Sequence, residues 1–263
     1  MATKNSPVPN GQTSRREQLR ARQAAEAKRA RTQRIIMVAA GIIALIIVAI
    51  VAVSLVQHHG QKNADSVALG EQITPPRATQ NNDAITYRDE VSDSVLTARL
   101  FADFQCPGCA NYERYVVPVL QQLADQGKIN LEFHILHGLD RALGTTHSQR
   151  AAIAATCADT VDAFSAYAPI VFANQPAREG DGWTDEQLID FASQASISGD
   201  KLTQFTTCFT ERQTNDFVDS MQKSMPDYIR ATPSLVVNDK VVELTNDDIV
   251  SADALLTKLE SYR

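Results

Sequence analysis

The sequence predicts an α/β fold, and three observations support this prediction. A strand-like apolar run, residues 95–104, ends at a Cys-Pro-Gly-Cys sequence at positions 106–109, where a helix-like run begins. A second strand-like run, residues 129–136, follows that helix, and a β-hairpin pattern lies near the carboxyl end of the chain. The order strand, helix, strand is typical of two parallel strands joined by a helical crossover.

The Cys-Pro-Gly-Cys sequence has the features of a redox-active dithiol. Cys106 lies at the start of the predicted helix, Pro107 fits the first helical position, and Cys109 lies one turn further along the same face. Cα atoms at this spacing are about 5 to 6 Å apart, which is within disulfide range. The free N–H groups and the dipole at the helix start favour the Cys106 thiolate. We therefore expect Cys106 to be the nucleophile and Cys109 the resolving thiol.

Other uses of these cysteines agree less well with the rest of the chain. A zinc ribbon needs a second close pair of Cys or His, whereas Cys157 and Cys208 each stand alone. A c-type haem site needs His after the second cysteine, where this chain has Ala110. A merely structural disulfide stays open as an alternative. We predict that the site needs no metal and no organic cofactor.

The first 56 residues predict a membrane anchor. Residues 1–34 form an arm with nine basic and two acidic side chains, and residues 35–56 are 22 consecutive uncharged, mostly aliphatic residues. A helix of that length spans a hydrocarbon core of about 30 Å, and the positive-inside rule places the arm in the cytoplasm. We expect a single-pass protein of the cell membrane whose catalytic domain is extracytoplasmic. A cleaved signal peptide is the alternative, because residues 52–54 would pass as a cleavage site.

The remaining sequence divides into a linker and a folded domain. Residues 57–82 contain a Pro-Pro pair and many polar residues without a sustained period, which predicts a linker. Residues 83–263 hold the predicted strands, and a helical region at about 146–228 separates the crossover from the hairpin. Beyond residue 56 the chain has 16 basic and 29 acidic side chains, which argues against nucleic-acid binding.

The four cysteines predict two pairs in an oxidising compartment. Cys106 pairs with Cys109, and Cys157 with Cys208 inside the helical region. A bridge over a loop of about fifty residues stabilises by roughly 4 kcal/mol in the chain-entropy model. We interpret this second bridge as structural, because neither of its cysteines has a close partner or lies at a helix start.

Three features of the sequence belong together: the Phe-Gln-Cys-Pro-Gly-Cys run at 104–109, the Ala-Thr-Pro-Ser run at 231–234 and the turn at Asn238. With these features the sequence resembles the thioredoxin fold, and more narrowly the DsbA-like thiol-disulfide oxidoreductases, which carry a helical domain inserted into the thioredoxin motif. The resemblance covers about residue 83 to the end. It implies a cis peptide bond at Thr232-Pro233 that faces the dithiol and leaves the Thr232 backbone free to pair with an extended substrate. Without the resemblance, a trans proline at a strand start would be the simpler interpretation.

The sequence departs from the family pattern at two positions. Thioredoxins and several relatives carry a buried acid six residues before the first cysteine, where this chain has Leu100; Asp103 is the nearest acid and a candidate for proton transfer. Strongly oxidising members have His next to the second cysteine, where this chain has Gly108. Since glycine cannot stabilise a thiolate through a side chain, we expect a less acidic Cys106 and a less oxidising disulfide than in those members.

The resemblance implies an extracytoplasmic oxidoreductase that donates disulfides to secreted proteins. Its partners would be reduced or unfolded secreted proteins and a quinone-linked membrane reoxidase, DsbB-like or vitamin K epoxide reductase-like. Two other functions stay open. One is a reductase or isomerase that a membrane partner keeps reduced. The other is a non-catalytic thioredoxin-like module that only binds peptides.

Overall fold

The computed structural model describes residues 69–263, which contain one five-stranded sheet and an inserted group of helices. The strands are β1 (Ile85–Thr86), β2 (Leu96–Asp103), β3 (Ile129–Leu136), β4 (Ser234–Val237) and β5 (Lys240–Val241). The helices are α1 (Pro107–Tyr115), α2 (Val117–Asp125), α3 (Gly138–Leu143), α4 (His147–Asp159), α5 (Phe164–Ala173), α6 (Asp185–Gln194), α7 (Gly199–Thr210), α8 (Asn215–Lys223) and α9 (Ala252–Glu260), with a 3-10 turn at Asn246–Ile249.

The sheet places β2 at its centre. The strand order is β1-β3-β2-β4-β5, in which β2 and β3 run parallel and all other neighbours run antiparallel. The predicted crossover is therefore confirmed, with α1 and α2 as its helical part. The main core lies on the face of β2 that carries Leu96, Ala98 and Leu100, while Phe101 belongs to a smaller cluster on the other face.

The helix that follows the dithiol is divided in two. The sequence has a single helix-like run after the dithiol, whereas the structure ends α1 at Tyr115 and begins α2 at Val117, next to Pro118. Proline cannot donate to the preceding turn and its ring crowds that turn, which accounts for a break there. The second helix ends before Gly127, which takes a φ of +67°, a conformation that favours glycine.

The hairpin between β4 and β5 follows the prediction. Asn238 and Asp239 form its two-residue turn with φ values of 49° and 60°. Asn and Asp tolerate this left-handed region better than most residues, and a turn with two such residues matches the twist of the flanking strands. The chain then ends in α9, where the Ser251 hydroxyl caps the helix by accepting from the Ala254 N–H at 3.1 Å.

The helical insertion connects β3 to β4 and contains α3 to α8. It begins earlier than the predicted residue 146, since α3 follows β3 after a single residue. A disulfide between Cys157 on α4 and Cys208 on α7 joins its helices, with a Cα–Cα distance of 5.7 Å. Both cysteines are buried in the core.

Residues 69–82 differ from the predicted linker because they pack on the insertion. The backbone N–H groups of Gly70 and Ile73 donate to carbonyls of the loop between α7 and α8, at 2.7 and 2.8 Å. Arg77 donates to the buried carboxylate of Asp159 through its backbone N–H at 2.9 Å and its Nε at 2.7 Å. A buried carboxylate needs such partners. No periodic pattern in residues 69–82 predicts these contacts.

Residues 69–263 contain no helix that is both long and apolar enough to cross a membrane. The basic arm at 1–34 and the predicted membrane helix at 35–56 lie outside the described residues.

Replacing both Cys157 and Cys208 by Ala is expected to lower the free energy of unfolding by about 2 to 4 kcal/mol, because the unfolded chain gains the freedom that the bridge removes. Urea unfolding under non-reducing conditions measures the change. Cys106→Ala/Cys109→Ala is the matched control, since it removes two thiols without opening a long loop. Equal unfolding midpoints for the two double variants would contradict a stabilising role for the bridge.

Candidate functional site

The dithiol lies at the carboxyl end of the central strand. Cys106 has an extended backbone conformation and caps α1, with Pro107 at the first helical position. The Cys106 thiol is partly buried, whereas Cys109, one turn later, is buried, and both thiols are free. The exposed sulfur is therefore the one at the helix start, where unpaired N–H groups favour negative charge.

The Thr232-Pro233 segment faces the dithiol. Its peptide bond is cis, and the Cys106 thiol contacts the Thr232 carbonyl oxygen at 3.3 Å. The proximity follows from the sheet, because Pro233 precedes β4 and β4 pairs with β2 through Phe101 and Ser234. Thr232 is partly exposed beside the reactive sulfur.

The two thiols have opposite acid strengths. A hydrogen bond from the Cys109 thiol lowers the pKa of Cys106 to about 6, with help from the backbone N–H groups of Cys109 and Gly108 and against the effect of burial. The pKa of Cys109 is raised, first by the same hydrogen bond and then by burial. At neutral pH Cys106 is therefore largely a thiolate, and Cys109 keeps its proton.

Gly108 lies close to both the reactive sulfur and the cis proline. A Cβ atom at this position would lie 3.2 Å from Pro233 Cδ and 3.6 Å from Cys106 Sγ. The first distance is closer than most real Cβ contacts, so a side chain would push against the proline ring. The thiolate is thus stabilised by the backbone N–H groups of Gly108 and Cys109 and by the Cys109 thiol, without a side-chain contribution from residue 108.

Asp103 is a buried carboxyl at the end of β2, close to the dithiol. Its side chain accepts hydrogen bonds from Gln105 and from two residues of the insertion. Its Oδ1 accepts from the Ser148 hydroxyl at 2.5 Å and the Gln105 N–H at 3.0 Å, and its Oδ2 accepts from the Leu139 N–H at 3.1 Å. Burial raises the pKa of Asp103 to about 6, and this effect outweighs the three hydrogen bonds that act in the opposite direction. Its backbone N–H lies 3.4 Å from Cys109 Sγ.

A second buried carboxylate, Asp140, extends this polar network. Its Oδ1 accepts from the side chains of Thr145 at 2.7 Å and Gln105 at 2.9 Å and from the Ser148 N–H at 3.0 Å. The Gln105 amide also donates to the Ser148 hydroxyl at 2.8 Å. Sequence reasoning missed this network, because ordinary polar residues up to 45 positions apart carry no periodic or motif signal of their contact.

A cavity of about 210 Å³ lies between the end of the central strand and the cis-proline segment. Asp103 and Thr232 belong to its lining, and most of its surface is apolar. The apolar lining residues are Leu136, Leu139, Met225, Ile229 and Ala231. A cavity of this size next to Thr232 can take an apolar side chain of a bound polypeptide.

The structure thus brings together Cys106, Cys109, Asp103 and the Thr232-Pro233 pair. The bonded Cys157 and Cys208 lie apart from them in the helical insertion. Within residues 69–263, no three His, Cys, Asp or Glu side chains are grouped so that they could hold a metal ion.

Comparisons with known proteins agree with this geometry. A family model described as Thioredoxin matches residues 92–253, more than half of the chain. Disulfide bond formation protein D of Bacillus subtilis (strain 168) is 25% identical over 179 residues, which cover 64% of this chain and 78% of that protein.

Solved structures share the fold. The MdbA protein of Corynebacterium diphtheriae, a thiol-disulfide oxidoreductase, superposes with a TM-score of 0.55 and 19% identity, over 77% of this chain and 99% of that chain. The MdbA protein of Actinomyces oris, also a thiol-disulfide oxidoreductase, gives a TM-score of 0.56 and 15% identity, over 74% and 96%. The thioredoxin-like α/β fold with a helical insertion is therefore confirmed.

Asp103→Asn is expected to change the pH dependence of stability. The pKa of Asp103 is about 6 in the folded protein and 3.8 as the ordinary value, so folding favours the protonated carboxyl. This contribution is fully present below the ordinary value and is lost as the pH rises through about 6. Between about pH 4 and about pH 7.5, the wild type should lose roughly 2 to 3 kcal/mol relative to the variant.

Urea unfolding at several pH values measures this difference. Asp93→Asn is the matched control, because Asp93 is an exposed aspartate in the loop before β2. Parallel pH profiles for the wild type and Asp103→Asn would contradict the raised pKa of Asp103.

Proposed function

The chain belongs to the thioredoxin family and is similar to its DsbA-like thiol-disulfide oxidoreductases, and from this premise we propose that it donates disulfides to other proteins through Cys106 and Cys109. The observation that carries the proposal is the asymmetry of the dithiol. One sulfur is accessible and acidic, with a pKa of about 6, while the other is buried and holds its proton.

The proposed reaction moves two electrons from a substrate to the dithiol. In the oxidised protein, a substrate thiolate attacks Cys106 Sγ, so that the Cys106–Cys109 bond breaks and a mixed disulfide forms. A second substrate thiolate then attacks the substrate sulfur of that mixed disulfide, and Cys106 leaves as a thiolate. A sulfur whose thiol has a low pKa is a good leaving group, and the pKa of about 6 for Cys106 favours this second step.

Cys109 must take up a proton when it leaves the disulfide, because its own pKa is raised. We assign to Asp103 the role of donating this proton to Cys109. Its carboxyl has a pKa of about 6 and lines the cavity beside the cis proline, and its backbone N–H contacts the Cys109 sulfur. A buried carboxyl with a pKa near neutrality can both hold and release a proton at physiological pH.

Thr232 and Pro233 are proposed to hold the substrate. The Thr232 backbone lies against the reactive sulfur and is partly exposed, so an extended peptide can pair with it beside Cys106. The apolar cavity next to Thr232 would take a side chain of the same peptide.

A reductase or isomerase is the second candidate function, and Gly108 favours it. A pKa of about 6 for Cys106 lies between about 7 for thioredoxin and about 3.5 for DsbA. Because residue 108 supplies no side-chain donor, the disulfide is expected to be less oxidising than that of DsbA. A module that only binds peptides would not need two thiols of such different acid strength.

We further propose that the protein works outside the cytoplasm on a single membrane anchor at residues 35–56, with residues 1–34 inside. The support is the uncharged 22-residue segment after a basic arm. Its partners would be reduced secreted proteins and a quinone-linked membrane reoxidase, DsbB-like or vitamin K epoxide reductase-like, that restores the Cys106–Cys109 disulfide.

Cys109→Ser is expected to trap mixed disulfides with substrate proteins, because the Cys106 thiolate can still attack a disulfide of a substrate protein, whereas no Cys109 thiol is left to attack the mixed disulfide and release that protein. Cys106→Ser is expected to abolish activity and capture. Non-reducing gels of the full chain, acid-quenched in cells, would show the trapped species. Cys106→Ser is the matched control, since it removes the neighbouring sulfur. Absence of captured protein in the Cys109→Ser variant would count against the proposal.

The reduction potential of the Cys106–Cys109 pair is expected at roughly −120 to −180 mV, the range of oxidants and isomerases. Equilibration with glutathione buffers measures it. A value near roughly −270 mV or lower would overturn the disulfide-donor proposal in favour of a reductant.

A further inference from the structure

The loop between α5 and α6 contacts the backbone of the dithiol turn through one side chain, that of Gln175. Its amide Nε2 donates to two carbonyl oxygens, that of Phe104 at 2.5 Å and that of Cys106 at 3.0 Å. The two carbonyls lie on either side of Gln105, and the donor comes from a segment 69 to 71 residues further along the chain. One NH₂ group thus donates hydrogen bonds to both ends of the turn, at Phe104 and at Cys106, which carries the reactive sulfur.

The Cys106 carbonyl is also the first acceptor of helix α1. It accepts from the N–H groups of Cys109 at 3.0 Å and Ala110 at 3.3 Å. The orientation of this carbonyl fixes the first turn of the helix, and with it the direction of the Gly108 and Cys109 N–H groups that stabilise the Cys106 thiolate. A group that holds the Cys106 carbonyl therefore acts on the surroundings of the sulfur.

Gln175 is itself held in a fixed position. The preceding carbonyl, of Asn174, accepts from the indole N–H of the buried Trp183 at 2.7 Å, and the Trp183 carbonyl accepts from Arg150 Nη2 at 2.6 Å. The Phe172 ring packs against the Phe104 ring, with centroids 4.6 Å apart. The end of α5 is thus tied both to the insertion and to the dithiol turn.

We propose that Gln175 is a positioning residue through which the helical insertion fixes the backbone of the Cys106 turn and so sets the reactivity of Cys106. Directed N–H donors stabilise a thiolate only while they point at it. Without the Gln175 amide, the Phe104 and Cys106 carbonyls lose a shared donor, and the turn gains freedom at the residue that carries the sulfur. The proposal goes beyond disulfide donation, since it holds for either direction of electron flow.

Gln175→Met tests the proposal, because Met has a similar length and shape but cannot donate. The expected result is a Cys106 thiol that binds its proton about three- to tenfold more tightly, the range that one hydrogen bond gives. The dithiol should also become a weaker oxidant, with the equilibrium constant against glutathione changed by a similar factor. Ultraviolet thiolate titration of the purified full-length protein and glutathione equilibration measure the two quantities.

Gln175→Glu is the second variant, since it keeps the shape but directs a carboxylate at two carbonyl oxygens. Its effect should exceed that of Gln175→Met in the same direction, and it carries the test if the Met variant does not fold. Gln194→Met is the matched control, because Gln194 is exposed at the end of α6 and bonds only within that helix, to Asp190.

The proposal is overturned if the Cys106 titration and the glutathione equilibrium of both Gln175 variants equal those of the wild type, even when thermal unfolding shows lower stability. That outcome would mean that Gln175 only stabilises the fold. Failure of disulfide donation has a different signature, because the reduction potential of the wild-type dithiol would then lie in the range of reductants while the Gln175 variants still shifted the titration of Cys106.

Discussion

The contact between the Cys106 sulfur and the Thr232 carbonyl joins two segments that are 126 residues apart in the chain. Most of the architecture serves to bring them together. The pairing of β4 with β2 places the cis proline beside the end of the central strand, and the crossover through α1 and α2 starts a helix at that same end. Everything between β3 and β4 must therefore leave the sheet, pack against it as part of the main core and return to one edge of the site.

The insertion does more than shield the site from solvent, because its first helices supply hydrogen-bond donors to a buried carboxyl of the site. Asp103 ends the central strand in a buried position where it depends on donors from α3 and α4, and Asp140 shares Gln105 and Ser148 with it. Two carboxyl groups in low dielectric are costly unless their hydrogen bonds are satisfied. The strand end and the insertion are thus parts of one polar network, and neither would be satisfied without the other.

The sequence predicted the elements whose signals are local. The parallel strands and the hairpin were found because apolar runs and a turn of Asn238 and Asp239 determine them nearly alone. The packing of residues 69–82 on the insertion was missed, because their backbone groups and Arg77 bond to partners that lie far along the chain. The network around Asp140 and the Gln175 contact were missed for the same reason, since a single polar side chain gives no sign of which distant carbonyl or carboxylate it will meet.

The close packing around Gly108 has a consequence for substitutions at this position. Any side chain there would touch the Cys106 sulfur and the Pro233 ring at once, so the surroundings of the sulfur and the surface beside the cis proline change together. One substitution at this position therefore couples the reactivity of the thiol to the shape of the neighbouring surface, and a return to glycine restores both.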